Sequence, residues 1–149
     1  MMLTRRGMLL CLGGAASCAA GVVVVANGQE AGQLSQMTPQ QVHEAALAGQ
    51  VLLVDVRRPD EWEATGIAEG AVPLDLRRDD FIEAVLLART SPTQPVALIC
   101  ARGVRSRRMA DRLNAAGIAP LIDIPEGMLG SRAGPGYLKS GLPVTPWNG

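Results

Sequence analysis

Hydrophobic residues recur along this chain in two alternating rhythms, short unbroken runs and helical spacings, and their order predicts the architecture. The first helical segment opens on Thr38-Pro39-Gln40-Gln41: a threonine N-cap, a proline at the first helical position and a glutamine that closes a capping box. Val42, Ala45, Ala46 and Leu47 supply its apolar face, and Gly49 ends it. Residues 51–56 then form an almost wholly apolar run, as expected of a strand covered on both faces in a parallel sheet. Residues 59–64 read as a short helix in which Trp62 packs, and Val72-Pro73-Leu74 as a short strand. Asp79-Asp80 opens a helix expected to bury Phe81, Val85 and Leu86. Pro95 precedes a second buried run, Val96-Ala97-Leu98-Ile99. From Ser106 the spacing turns helical again, through Met109, Leu113 and Ala116, until Gly117 stops it. Residues 121–124 supply another strand. The tail, 131–149, is rich in glycine and proline, with a Tyr137-Leu138-Lys139 turn and a rigid Gly134-Pro135-Gly136 loop expected near the rim of a site. No internal repeat is visible.

Strands alternating with helices imply an α/β fold with a parallel sheet and right-handed crossovers. In such sheets ligands bind at the carboxyl ends of the strands. The junction from 99 to 106 is such a place, and a cysteine, Cys100, stands in it.

The N-terminus follows a different pattern. Arg5 and Arg6 precede an uncharged run of 19 residues, Met8 to Ala26. Thr4-Arg5-Arg6-Gly7-Met8-Leu9 resembles a twin-arginine export signal, with a cleavage point after Gly28. The run is also long enough to span a bilayer uncut. Ala15-Ala16-Ser17-Cys18 only loosely matches a lipoprotein box. The chain therefore divides into an export signal or membrane anchor (1–28), a polar linker (29–37) and a domain (38–149), and the domain is placed in the periplasm or held at the membrane by its N-terminal segment alone.

This division changes the cysteine count. Cys11 and Cys18 lie in the targeting run, so the domain carries only Cys100 and forms no internal disulfide. The 149 residues suit one domain, and 14 basic against 14 acidic residues leave no nucleic-acid footprint. The single histidine, His43, excludes a multi-histidine metal site, makes a Ser-His-Asp arrangement improbable and reads as a surface or structural residue.

Cys100 is followed by Ala101-Arg102-Gly103-Val104-Arg105-Ser106. N–H groups at the start of the next helix attract negative charge, and Arg102, Arg105, Arg107 and Arg108 place four cations within eight residues. Such surroundings favour the thiolate, the nucleophilic form of cysteine. Gly103 lets the backbone fold tightly. A free cysteine is more often a small buried apolar residue, but that reading leaves the four arginines without a purpose. Asp55 and Arg57, at the end of an earlier strand, are open to reading as an inconsequential surface pair.

Cys100 to Ser106 resembles the active-site loop of the rhodanese family, C-R-x-G-x-R-S, matching at Cys100, Gly103, Arg105 and Ser106, with Ala101 departing and an arginine one place later at Arg102. Asp55-Val56-Arg57 followed by Glu61-Trp62 resembles the family's D-V-R-x-x-x-E-[YW]. Its G-H-I-P-G-A appears as Gly66-Ile67-Ala68-Glu69-Gly70-Ala71, without the histidine and proline, and Glu126-Gly127-Met128-Leu129-Gly130 resembles its G-G-[MW] turn. The resemblance covers residues 38 to about 145. It implies a central five-stranded parallel sheet with helices on both faces, Asp55 as a structural brace and Arg57 near the loop. It also implies a sulfurtransferase: Cys100 takes a sulfane sulfur from a small anionic donor such as thiosulfate, becomes a persulfide and passes the sulfur to a thiol or protein acceptor. N–H groups from Ala101 to Ser106 hold the sulfur anion while Arg102 and Arg105 attract the donor, and no metal or organic cofactor is needed. Three rivals stand beside it. One is a cysteine-dependent phosphatase or arsenate reductase, whose C-x5-R loop is one residue longer. The others are a persulfide carrier and a non-catalytic binding module.

Overall fold

The computed structural model describes residues 34–149. Strands are β1 (Ser35–Gln36), β2 (Leu52–Asp55), β3 (Ile67–Ala68), β4 (Val72–Pro73), β5 (Val96–Ile99), β6 (Leu121–Asp123) and β7 (Val144–Thr145); helices are α1 (Pro39–Leu47), α2 (Pro59–Thr65), α3 (Phe81–Ala88) and α4 (Val104–Ala115). A five-stranded sheet runs in the order β1-β6-β5-β2-β4 with every neighbouring pair parallel. β3 and β7 form a small antiparallel ribbon.

The strands at the centre carry continuous apolar sequence because both their faces are covered, and all residues of β2, β5 and β6 are buried. Successive side chains point to opposite faces, so the same strands serve two cores. Leu52, Val54, Val96 and Leu98 pack with Phe81 and Val85 of α3 and with Met109, Ala110 and Leu113 of α4. Leu53, Ala97 and Ile99 pack on the other side with Val42 and Ala45 of α1, Met128 and Tyr137.

The α1 capping box is formed as expected: Gln41 N–H donates to Thr38 Oγ1 at 3.3 Å, and Thr38 N–H donates to Gln41 Oε1 at 2.9 Å. Trp62 is buried and meets Trp147 edge-on at 5.3 Å between ring centroids. His43 is structural, with Nδ1 3.0 Å from the Tyr137 hydroxyl.

Three expectations are corrected. Leu86 is 49 % exposed, whereas Phe81 and Val85 are fully buried: on a helix, i and i+4 share a face while Leu86, five residues from Phe81, turns away. The helix placed from Ser106 begins at Val104. Val104 is exposed, so its side chain adds nothing to the apolar period that marks the buried face. The stretch read as linker contributes β1, the edge strand, whose Ser35 and Gln36 pair with Ile122 and Asp123; two residues are too few to show strand periodicity. The export signal or anchor lies outside the described residues, and among those described no helix is long and apolar enough to cross a membrane.

Candidate active site

Parallel pairing gathers the carboxyl ends of β2, β5 and β6 at one edge of the sheet, and the predicted site residues meet there. Cys100 follows β5 directly and is 1 % exposed. Its Sγ accepts a hydrogen bond from Gly103 N–H at 3.2 Å, so the loop curls back over the sulfur. Gly103 has φ +84°, in the left-handed region, and leads straight into α4. A Cβ on it would strike the Pro125 carbonyl oxygen. The chain after β6 thus closes over the loop: Met128 N–H donates to the Cys100 carbonyl at 2.8 Å and Leu129 N–H to the Ala101 carbonyl at 2.9 Å. Val104, Arg105 and Ser106 form the first turn of α4, where N–H groups have no intrahelical acceptor.

Arg105 is therefore a helix residue. Its two terminal nitrogens donate to Glu61 Oε2 and Oε1, both at 2.6 Å. The Arg105 guanidinium holds the Glu61 carboxyl down at about 2, against the opposing effect of burial. In return, Arg105 is held more firmly protonated, first by Glu61 and to a lesser degree by the charges of Cys100 and Asp55. Arg102 is exposed, and its Nη1 reaches the Gly130 carbonyl at 3.4 Å.

Asp55 and Arg57 are no surface pair. Both are buried, with Arg57 Nη2 2.7 Å from Asp55 Oδ2. Arg57 also donates to Thr65 Oγ1 at 2.8 Å and to the Gly66 carbonyl at 2.7 Å. Among the described residues, its hydrogen bonds run to Asp55 and α2 and none to the Cys100 loop. Its link to the site passes through α2, which carries Glu61.

Asp123, at the end of β6, joins the site without belonging to the loop signature. It is 2 % exposed and accepts the Ser106 hydroxyl at 2.8 Å, while the Cys100 thiol donates to the same Ser106 oxygen at 3.5 Å. Burial pushes the Asp123 carboxyl up, partly offset by the Ser106 hydrogen bond. The signal for it was present: one acid interrupts the apolar run 121–124. No group of three or more acidic, histidine or cysteine side chains among the described residues is placed to hold a metal.

Residues 38–131 match the model of the rhodanese-like domain. The chain belongs to the rhodanese-like domain family. Among solved structures, the Rv0390 protein of M. tuberculosis is 29% identical, with a TM-score of 0.59 over 76% of this chain and 98% of that one. A rhodanese-like domain protein from Staphylococcus aureus is 24% identical, with a TM-score of 0.56 over 75% and 99%. A polysulfide-sulfur transferase homodimer from Wolinella succinogenes is 21% identical, with a TM-score of 0.59 over 75% and 78%. No curated protein matches. The fold expectation is met in full: the α/β architecture and its five-stranded parallel sheet are those of rhodanese-like structures.

Proposed function

We propose that this rhodanese-like domain is a sulfurtransferase in which Cys100 carries the transferred sulfur. The supporting observation is the seat of the thiol: Cys100 lies at the carboxyl end of the central strand, with the Gly103 N–H on its sulfur and α4 starting four residues later. Family membership and a neighbour named as a polysulfide-sulfur transferase favour the same chemistry.

In the first half-reaction the Cys100 thiolate attacks the outer sulfur of thiosulfate. A Cys100 S–S bond forms, the donor's S–S bond breaks, and sulfite leaves with that electron pair. The terminal sulfur of the persulfide is an anion suited to the amides of the loop and the first turn of α4. In the second half-reaction a thiophilic acceptor attacks that sulfur and Cys100 leaves as thiolate. Dividing the transfer replaces one difficult step with two easier ones.

Loop size weighs against phosphate chemistry. Four residues separate Cys100 from Arg105, and a side chain at Gly103 has no room beside Pro125. Such a cradle suits one sulfur anion better than a tetrahedral oxyanion.

The protein, incubated with thiosulfate and weighed intact, is expected to gain one sulfur atom, and Cys100→Ser none. Absence of any adduct with thiosulfate or polysulfide would favour a binding module instead. We place this reaction outside the cytoplasm on the strength of the N-terminal sequence, to be checked by cell fractionation.

A further inference from the structure

Cys100, Ser106 and Asp123 form one buried chain of hydrogen bonds. The Cys100 thiol donates to Ser106 Oγ at 3.5 Å, and Ser106 Oγ donates to Asp123 Oδ1 at 2.8 Å. All three are almost completely buried, at 1 %, 0 % and 2 % exposure. No imidazole takes part: the one histidine, His43, is engaged with Tyr137 on the opposite face of the sheet.

Ser106 has one hydroxyl hydrogen, and the direction in which it points couples the two ends of the chain. With Asp123 ionised, that hydrogen belongs to the carboxylate, and Ser106 offers only lone pairs to the sulfur. That arrangement suits a thiol, which donates, and opposes a sulfur anion, which must accept. With Asp123 protonated, the carboxyl donates to Ser106 and the hydroxyl turns its hydrogen to the sulfur, which suits a thiolate or persulfide.

We propose that Asp123 is a positioning residue that sets the protonation state of Cys100 through Ser106, storing the thiol proton while the sulfur is anionic and returning it afterwards. This rests on the sulfurtransferase reading, in which Cys100 must be anionic to attack. The step is balanced within the chain. The Cys100 S–H bond breaks and its electron pair stays on sulfur. The proton passes to the Ser106 oxygen as the hydroxyl proton of Ser106 passes to Asp123 Oδ1.

The surroundings make the exchange accessible. Burial already pushes the Asp123 carboxyl up, which brings its proton affinity toward that of a thiol. Among the described residues, the charges that act on it come from α4: Arg107, which favours the carboxylate, and Asp111, which opposes it. These two neutralise each other in part, with Arg107 Nε 3.6 Å from Asp111 Oδ1. The neighbouring strands present uncharged residues, Leu98 of β5 and Gln36 of β1.

The test follows iodoacetamide alkylation of Cys100 in the full-length protein between pH 5 and 10, read at the Cys100 peptide by mass spectrometry. Asp123→Asn is a permanently neutral partner that can donate to Ser106. It is expected to raise the alkylation rate at pH 6–7 by roughly tenfold, the equivalent of about one pH unit. Ser106→Thr keeps the hydroxyl and should keep the wild-type profile, whereas Ser106→Ala breaks the link between Cys100 and Asp123 and should shift the profile. In the Ser106→Ala background, Asp123→Asn should change the rate by less than about twofold, the non-additivity expected of a linked chain. Superimposable profiles for wild type and Asp123→Asn would overturn the proposal. So would an equal effect of Asp123→Asn with and without Ser106, since Asp123 would then act only as a distant charge. If Asp123→Asn fails to fold, as judged by near-ultraviolet circular dichroism, the Ser106 pair decides, because identical profiles for Ala and Thr would also overturn it. Alkylation needs no sulfur donor. A protein that never acquires sulfur from thiosulfate or polysulfide would refute the sulfurtransferase reading and leave this result legible.

Discussion

Arg105 and Glu61 meet through two hydrogen bonds of 2.6 Å, and their pairing sets how much unneutralised positive charge the Cys100 loop retains. The pair ties the first turn of α4 to the first turn of α2, whose far end is fastened in turn by Arg57 through Thr65 and Gly66. Glu61 is half-buried, with its side chain 20% exposed, so the contact is worth more than a fully exposed ion pair. Its pH dependence follows from the sign of the shift. The folded protein holds the Glu61 carboxyl at about 2 against an ordinary value of 4.5. A carboxyl depressed on folding stabilises the native state fully above its unfolded value, and that contribution is lost as pH falls toward the folded one. Glu61→Gln is therefore expected to lower stability at pH 7 by about 1–2 kcal/mol, within the range for a charged hydrogen bond tempered by partial exposure. The gap between wild type and variant should close as the pH drops from about 4.5 toward 2. Thermal melts at three pH values would show it. A gap that stays constant with pH would mean that Glu61 acts through packing and not through its charge.

The element that shapes the site is a loop held by another loop. Cys100 to Gly103 lies against the turn that follows β6, and two glycines make the close approach feasible. Gly127 has φ +66°, and a Cβ on it would sit 2.5 Å from the Ala101 carbonyl oxygen. Gly103 has the matching constraint against Pro125. A methyl at 127 meets both the left-handed penalty, about 1–2 kcal/mol, and an overpacking cost of about 1–3 kcal/mol. Gly127→Ala is accordingly expected to destabilise by about 2–5 kcal/mol and to impair sulfur loading of Cys100, measured by denaturant titration and intact mass. Wild-type stability with normal loading would show that the turn does not set the loop's shape. These elements differ in how readable they were. Buried strands and capped helices announce themselves locally: the Thr38 box, the run into β5 and the stop at Gly117 needed no tertiary information. The face of a short helix with only one charged residue, Glu83, does not, because the period of α3 permits Leu86 inside or outside and the sheet decides. A two-residue edge strand such as β1 exists only through its pairing with β6. In the site, the loop signature was legible from Cys100 to Ser106. The partners Glu61 and Asp123 arrive from other elements 39 residues earlier and 23 later than Cys100, and only the topology of the sheet brings them in.

At the scale of the whole molecule, the sheet order places β5 third of five strands, so the site sits at the carboxyl end of the middle strand, between cores on either face of the sheet. The chain is neutral in total, yet the charge is unevenly divided along it. Residues 34–99 carry 5 basic and 10 acidic side chains, and residues 100–149 carry 7 basic and 3 acidic. The half that begins at Cys100 is therefore the positive one. Within it, Arg105 is committed to Glu61 and Arg107 to Asp111, whereas Arg102 contacts only the Gly130 carbonyl among the described residues. A neutral carbonyl leaves the charge of Arg102 intact and exposed beside the loop. On the proposed sulfurtransferase reading, an anionic donor approaching the site meets this exposed charge, and its encounter rate should depend on ionic strength. The Debye length shrinks from about 30 Å at 0.01 M to about 3 Å at 1 M, so steering that operates at low salt is screened out at high salt. Raising the salt from about 0.01 to 0.5 M is thus expected to lower kcat/KM for thiosulfate several-fold while leaving kcat nearly unchanged. Arg102→Ala should lose roughly three- to tenfold in kcat/KM at low salt and converge on wild type at high salt, since the charge it removes is already screened there. A loss that persists undiminished at high salt would place Arg102 in direct contact with the bound donor. A kcat/KM indifferent to salt in both proteins would mean that the asymmetry of charge along the chain plays no part in capturing the donor.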